Sequence, residues 1–196
     1  MSPLRQLPMS FHLGKTRCFI GYEVAAAISA VLILDRENRI ICCILAAVLH
    51  ELGHLLVMRC FHIRVRAVSV RLFDVLIKAD APRDLRSDVC ITLGGVLMNL
   101  FCAAVSVPFS RRFLYANLAL AIFNLLPVMS LDGGRLLWLL LSRRFLPRIC
   151  SVTLKLTTFV LLIPLLTAGI VMLFRSGYNY SLLAISLYLL AVLIFK

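Results

Sequence analysis

His50-Glu51-Leu52-Gly53-His54 places two imidazoles and a carboxylate within five consecutive residues. Side chains four apart lie one above the other on a helix face. At that spacing two histidines can grip one zinc ion. Glu51, next to the first histidine, is placed to act as a base on a metal-bound water. The motif sits inside an apolar stretch long enough to cross a bilayer. Ionisable groups are costly in hydrocarbon, so a trio of them there points to a functional site.

A catalytic zinc typically takes three protein ligands and keeps one position open. The chain has only 4 histidines: His12, His50, His54 and His62. His12 precedes the first apolar run. His62 follows the motif by eight residues and reads as an interfacial residue. The third ligand is therefore expected to be a carboxylate, and Asp132 has the distinctive setting. It lies in Asn124-Leu-Leu-Pro127-Val-Met-Ser-Leu-Asp132-Gly133-Gly134-Arg135. Pro127 interrupts a helix and frees a carbonyl. Gly133 and Gly134 permit sharp turning and close backbone approach. Irregular backbone at membrane depth is tolerated where it is buried in protein or lines a wet cavity. A broken helix that aims an aspartate at a metal has this pattern.

The expected chemistry is hydrolysis. One zinc ion per chain would lower the pKa of its water, and Glu51 would accept the proton and later return it to a leaving amine. Asn124 or Asn99 is expected to support the substrate backbone or the developing oxyanion. Gly94-Gly95-Val-Leu-Met-Asn99 reads alone as a helix-packing motif. Glu23 reads as an interfacial carboxylate and Asn117 as an ordinary polar residue of a helix.

The elements that must position these groups are membrane helices. The 196 residues are 62% hydrophobic, well above a soluble domain. With about 20 residues per span, six apolar segments emerge, near 18–34, 40–60, 89–109, 113–129, 152–174 and 180–195. Residues 136–141, after Asp132, read as a further short helix. The fold class is thus an all-α polytopic membrane protein of about six transmembrane helices, a single domain over 1–196. A small membrane-associated β-hairpin is expected after the second span. There 64–70 shows partial alternation, 72–79 makes a second strand, and Pro82 ends it.

The net charge of +12 is spread between the apolar runs rather than clustered. That distribution excludes nucleic acid as a partner and fits contact with anionic headgroups. With the N-terminus inside, 16 of the 21 Lys and Arg residues fall on the cytoplasmic side. Both termini are therefore predicted cytoplasmic in a multi-pass cell-membrane protein. The same topology puts His50, His54 and Asp132 at neighbouring depths, although charge counting used none of them. The 7 cysteines contain no Cys-x-x-Cys pair and most lie in or beside apolar runs, which argues against a Cys-based zinc knuckle and a disulfide framework. No cleavable signal peptide pattern precedes the first span.

His50-Glu51-x-x-His54, then Gly95-x-x-x-Asn99, then Asn124-x-x-Pro127-x-x-x-x-Asp132-Gly133, in that order, resembles the site-2 protease family of intramembrane zinc metalloproteases. The resemblance covers about 40–140. It implies that His50, His54 and Asp132 hold zinc and that Glu51 is catalytic. It links Asn124 to substrate engagement and the Gly95–Asn99 motif to packing near the site. It also implies a β-hairpin after the first motif. The six-span length is similar to the compact branch that includes the sporulation factor protease, here without a PDZ or a CBS domain. The implied substrate is a membrane protein, such as a membrane-tethered transcriptional regulator, and a regulatory membrane partner is a further expectation. Two other readings stand beside it. A metal transporter would use the same residues as a transit site, but would need ligands strung along a path. A catalytically inactive scaffold would have no use for the intact glutamate. A di-iron hydroxylase would need many more histidines.

Overall fold

A computed structural model describes residues 9–13, 16–22, 39–71, 74–82 and 84–176, with isolated positions 24, 26, 29, 183, 186, 187, 189, 190 and 193. The chain forms two compact units, Met1–Ala121 and Ile122–Lys196. The first holds a sheet and two long helices. The second holds one long helix and the irregular segment that leads to Asp132.

The sheet of the first unit has four strands in the order β1-β2-β3-β4. Strands β1 (Met9–Leu13) and β2 (Thr16–Ile20) pair antiparallel. Strand β3 (Val65–Arg71) runs parallel to β2, with Cys18 beside Val68. Strand β4 (Asp74–Ala79) pairs antiparallel with β3, Val68 facing Ile77. The expected hairpin is therefore present as β3 and β4, but it is half of a larger sheet. Parallel strands need a long crossover between them, and the segment carrying the histidines supplies it. The expected first span changes accordingly: Cys18 to Ile20 belong to β2. Most of the remainder of that span, Glu23 included, and most of the expected last span lie outside the described residues.

Helix α1 (Arg39–Cys60) and helix α2 (Leu85–Ser106) pack along each other. On α1, Ala46, His50, Gly53 and His54 are buried, a stripe at spacings of three and four. Leu45, Val48, Leu52 and Leu56 make the exposed apolar stripe of the same helix. The matching stripe on α2 is Ile91, Thr92, Gly95, Asn99, Ala103 and Ser106, all buried. Helices with one polar, small-residue face and one bare apolar face suit a lipid environment, where close backbone approach replaces hydrophobic burial. At the crossing, a Cβ on Gly53 would run into the carbonyl of Gly94, so the contact requires glycine.

Both helix ends are defined locally. His62, at φ 56°, closes α1 in the left-handed conformation. Its N–H donates to Arg59 O at 3.0 Å, and Ile63 N–H donates to Met58 O at 2.9 Å. That pair of bonds is a Schellman closure. Helix α2 begins with a reciprocal cap: Ser87 N–H donates to the Asp84 carboxylate at 3.1 Å, and Asp84 N–H donates to Ser87 Oγ at 3.4 Å. The bonds from the Ser87 side chain and then its backbone hold the Asp84 carboxyl below the usual carboxylate range.

Among the described residues three helices are long and apolar enough to cross a membrane: α1, α2 and the long helix of the second unit. The expected fourth span is shorter than its apolar run. Helix α3 is Arg111–Asn124, 14 residues. At 1.5 Å per residue it is about 21 Å long, short of a hydrocarbon core of about 30 Å. It stops because Pro127 cannot continue the ladder.

In the second unit the chain turns through 125–131 and enters helix α4 (Asp132–Leu141), then helix α5 (Pro147–Ser176). The short helix expected after Asp132 is thus present. Val128, Leu162 and Leu189 form the unit's core, with Phe123, Leu126 and Leu131 packed on it.

Candidate metal centre

The two imidazoles of the first motif face each other inside the first unit. Their Nε2 atoms are 3.2 Å apart and their rings meet edge to face. His50 is 5% exposed and His54 9%. Each Nδ1 is held by an oxygen on α2. His54 Nδ1 lies 2.7 Å from Ile91 O, and His50 Nδ1 lies 2.6 Å from Asn99 Oδ1.

These partners fix the tautomers. A backbone carbonyl only accepts, so His54 must carry its proton on Nδ1. The Asn99 amide is oriented by its own bonds: its Nδ2 donates to Ala46 O at 3.0 Å and to Asn117 Oδ1 at 2.8 Å. Oδ1 is then the atom facing His50, and His50 Nδ1 donates to it. With both protons on Nδ1, the two Nε2 atoms present lone pairs to a common point. Lone pairs that close repel unless a cation lies between them. Two zinc–nitrogen bonds of about 2.05 Å at a tetrahedral angle give a separation of roughly 3.3 Å. The observed spacing therefore fits a zinc ion, and a second oxygen partner on each histidine is what orients such ligands.

Space for an ion comes from Gly95. A Cβ there would stand 2.6 Å from His50 Cε1, His50 Nε2 and His54 Nε2. The glycine that the sequence offers as a packing residue thus clears the face on which the lone pairs converge. Glu51, the next residue of α1, is half-buried.

Asp132 is positioned by the second unit. It opens α4, and no side chain caps that helix. A carboxylate in the first turn is favoured by the helix dipole. The segment before it is wound tightly against the new helix: a Cβ on Gly133 would clash with the Leu125 carbonyl, and one on Gly134 with that of Val128. Two threonines of α5 hold the same segment. Thr158 Oγ1 accepts from Met129 N–H at 2.9 Å, and Thr157 Oγ1 donates to Pro127 O at 3.2 Å. Thr158 is 1% exposed, and Asp132 is half-buried. Asn124 is the last residue of α3, half-buried at the entrance to this turn.

The described residues thus bring His50, His54, Asn99 and Asn117 into one hydrogen-bonded cluster. His12 lies in β1, and His62 is exposed at the end of α1, where it closes the helix. Asn117 and the threonines were missed by sequence reasoning; a buried polar residue inside an apolar run was the available signal.

The model of peptidase family M50 matches residues 101–165, which include the Asn124–Asp132 motif. Stage IV sporulation protein FB of Bacillus subtilis (strain 168) is 30% identical to the chain over 125 residues, 58% of this chain and 43% of that protein. The chain therefore aligns with less than half the length of that relative. Its fold is that of a site-2 protease: the Site-2 Protease from Methanocaldococcus jannaschii superposes over 92% of each chain with a TM-score of 0.66, at 19% identity. The three helices that are long and apolar enough to cross a membrane, among the described residues, agree with a membrane protein.

Proposed function

We propose that this chain is an intramembrane zinc metalloendopeptidase that hydrolyses a peptide bond in or near a transmembrane segment of a membrane-bound substrate. The observation that carries the reading is the convergence of His50 Nε2 and His54 Nε2, 3.2 Å apart, on a helix apolar enough to span a bilayer. Asp132 is the proposed third ligand, and His50, His54 and Asp132 are a donor set that could hold a metal ion. A bound zinc ion would supply a Lewis acid and lower the pKa of water towards neutrality.

The chain's own groups do the rest. Glu51 takes a proton from the attacking water and returns it to the leaving amine. Asn99 keeps His50 in the tautomer that can bind metal. Asn124, at the mouth of the turn, engages the substrate backbone. The apolar faces of α1 and α2 keep bulk water away, which strengthens every charge interaction inside. Both units act as one protease domain, and the M50 match runs across the boundary between them. The loop charges support a topology with both termini in the cytoplasm and the site near the cytoplasmic face. A membrane-tethered transcriptional regulator is the proposed class of substrate. A transmembrane helix must unwind to expose its carbonyl, so helix-weakening residues are expected beside the cut.

The test is co-expression with a library of single-span membrane proteins, with new termini mapped by mass spectrometry. The native chain should generate cuts that the Glu51→Gln variant does not. Identical cleavage by both would refute the assignment of Glu51.

A further inference from the structure

We infer that Asn117 on α3 is a positioning residue for the metal ligand His50, acting through Asn99. The inference rests on the zinc reading above and names a residue outside its motifs. Asn117 and Asn99 are both 0% exposed. A carboxamide buried among membrane helices is costly unless every polar atom is used. Here the bonds run in one direction only. Asn117 Nδ2 donates to Phe113 O at 2.9 Å, which turns its Oδ1 towards α2. That oxygen accepts from Asn99 Nδ2 at 2.8 Å, and the second hydrogen of the same nitrogen goes to Ala46 O. Asn99 is left with one atom for His50, its oxygen, 2.6 Å from Nδ1.

Orientation is what the relay transmits. An amide can turn over, exchanging oxygen and nitrogen at almost no steric cost. If Asn99 turned, it would present N–H to His50 Nδ1. His50 would then hold its proton on Nε2, and a protonated Nε2 cannot bind a metal. The Ala46 carbonyl resists that turn from α1, and Asn117 resists it from α3. Three helices thereby decide which nitrogen of His50 carries the lone pair. A residue that merely packed α3 against α2 would serve equally well as leucine.

The experiment uses the full chain in detergent. Nitrogen-15 NMR of the histidine side chains in the zinc-free protein reads the His50 tautomer directly. Competitive zinc titration reads affinity, and thermal melting reads folding. Asn117→Leu should shift His50 towards the Nε2-protonated form and weaken zinc binding by about ten- to a hundredfold, the usual effect of losing an outer partner of a ligand. Asn117→Asp keeps an acceptor for Asn99 and should retain the native tautomer. Asn99→Asp cannot turn over into a donor, so Asn99→Asp combined with Asn117→Leu should recover the affinity that Asn117→Leu loses. An unchanged tautomer in Asn117→Leu overturns the inference, and so does failure of Asn99→Asp to rescue. A native chain that takes up no zinc sinks the zinc reading instead, while the tautomer in the zinc-free protein still decides the relay.

Discussion

His50 Nδ1 donates to Asn99 Oδ1 across 2.6 Å, from one buried helix stripe to its neighbour. The bond joins residues 49 apart in the chain. It gives the asparagine of the second motif a definite task, the orientation of a proposed metal ligand of the first. Asn99 was expected to support substrate or oxyanion; in the fold both hydrogens of its amide nitrogen are given to Ala46 and Asn117.

Gly95→Ala should abolish zinc binding and leave the helix intact. The added methyl would stand 2.6 Å from both Nε2 atoms, closer than a real Cβ comes to any neighbour, so the rings must move. Alanine is the better helix former by about 1 kcal/mol, so helicity should not fall. Zinc content and circular dichroism on one sample separate the two effects. Full zinc occupancy in Gly95→Ala would mean that the rings do not meet at this face.

Thr158→Val keeps the shape of the side chain and removes the acceptor for Met129 N–H. A buried donor left without its partner costs about 1–3 kcal/mol. The turn that leads into Asp132 should loosen. A lower melting temperature together with weaker zinc binding is expected, and a loss of stability with unchanged zinc affinity would separate this turn from the metal.

The cap of α2 carries a pH dependence. Hydrogen bonds from Ser87 depress the folded-state pKa of Asp84. A depressed carboxylate contributes stability that is complete above its unfolded value, about 3.9, and that is lost as pH falls through the lower folded value. Asp84→Asn also caps a helix but does not titrate. The difference in melting temperature between native chain and Asp84→Asn should be constant from neutral pH down to the ordinary aspartate range, then change below it. An Asp84 carboxyl resonance that titrates at or above that ordinary value would contradict the cap.

The site was legible where its causes are local. Histidines four apart need only a helix to meet, and the apolar run around them specifies one. Pro127, Gly133 and Gly134 announced a break because no ordinary helix tolerates them together, and the structure shows carbonyls where Cβ atoms would be. The sheet was not legible in full. Arg17 pairs beside Ala67 through a parallel crossover, and no short-range pattern encodes that. Cys18 to Ile20 are apolar enough to begin a span and equally apt for a strand. Asn117 looked ordinary because its significance lies on another helix, 18 residues away at Asn99.

The most direct measurement is zinc stoichiometry in the purified chain, by elemental analysis, beside His50→Ala, His54→Ala, Asp132→Ala and Glu51→Gln. The account predicts one zinc per native chain, retained by Glu51→Gln and lost or greatly weakened in each of the other three. Zinc retained at full occupancy without His50 and His54, or without Asp132, would contradict it.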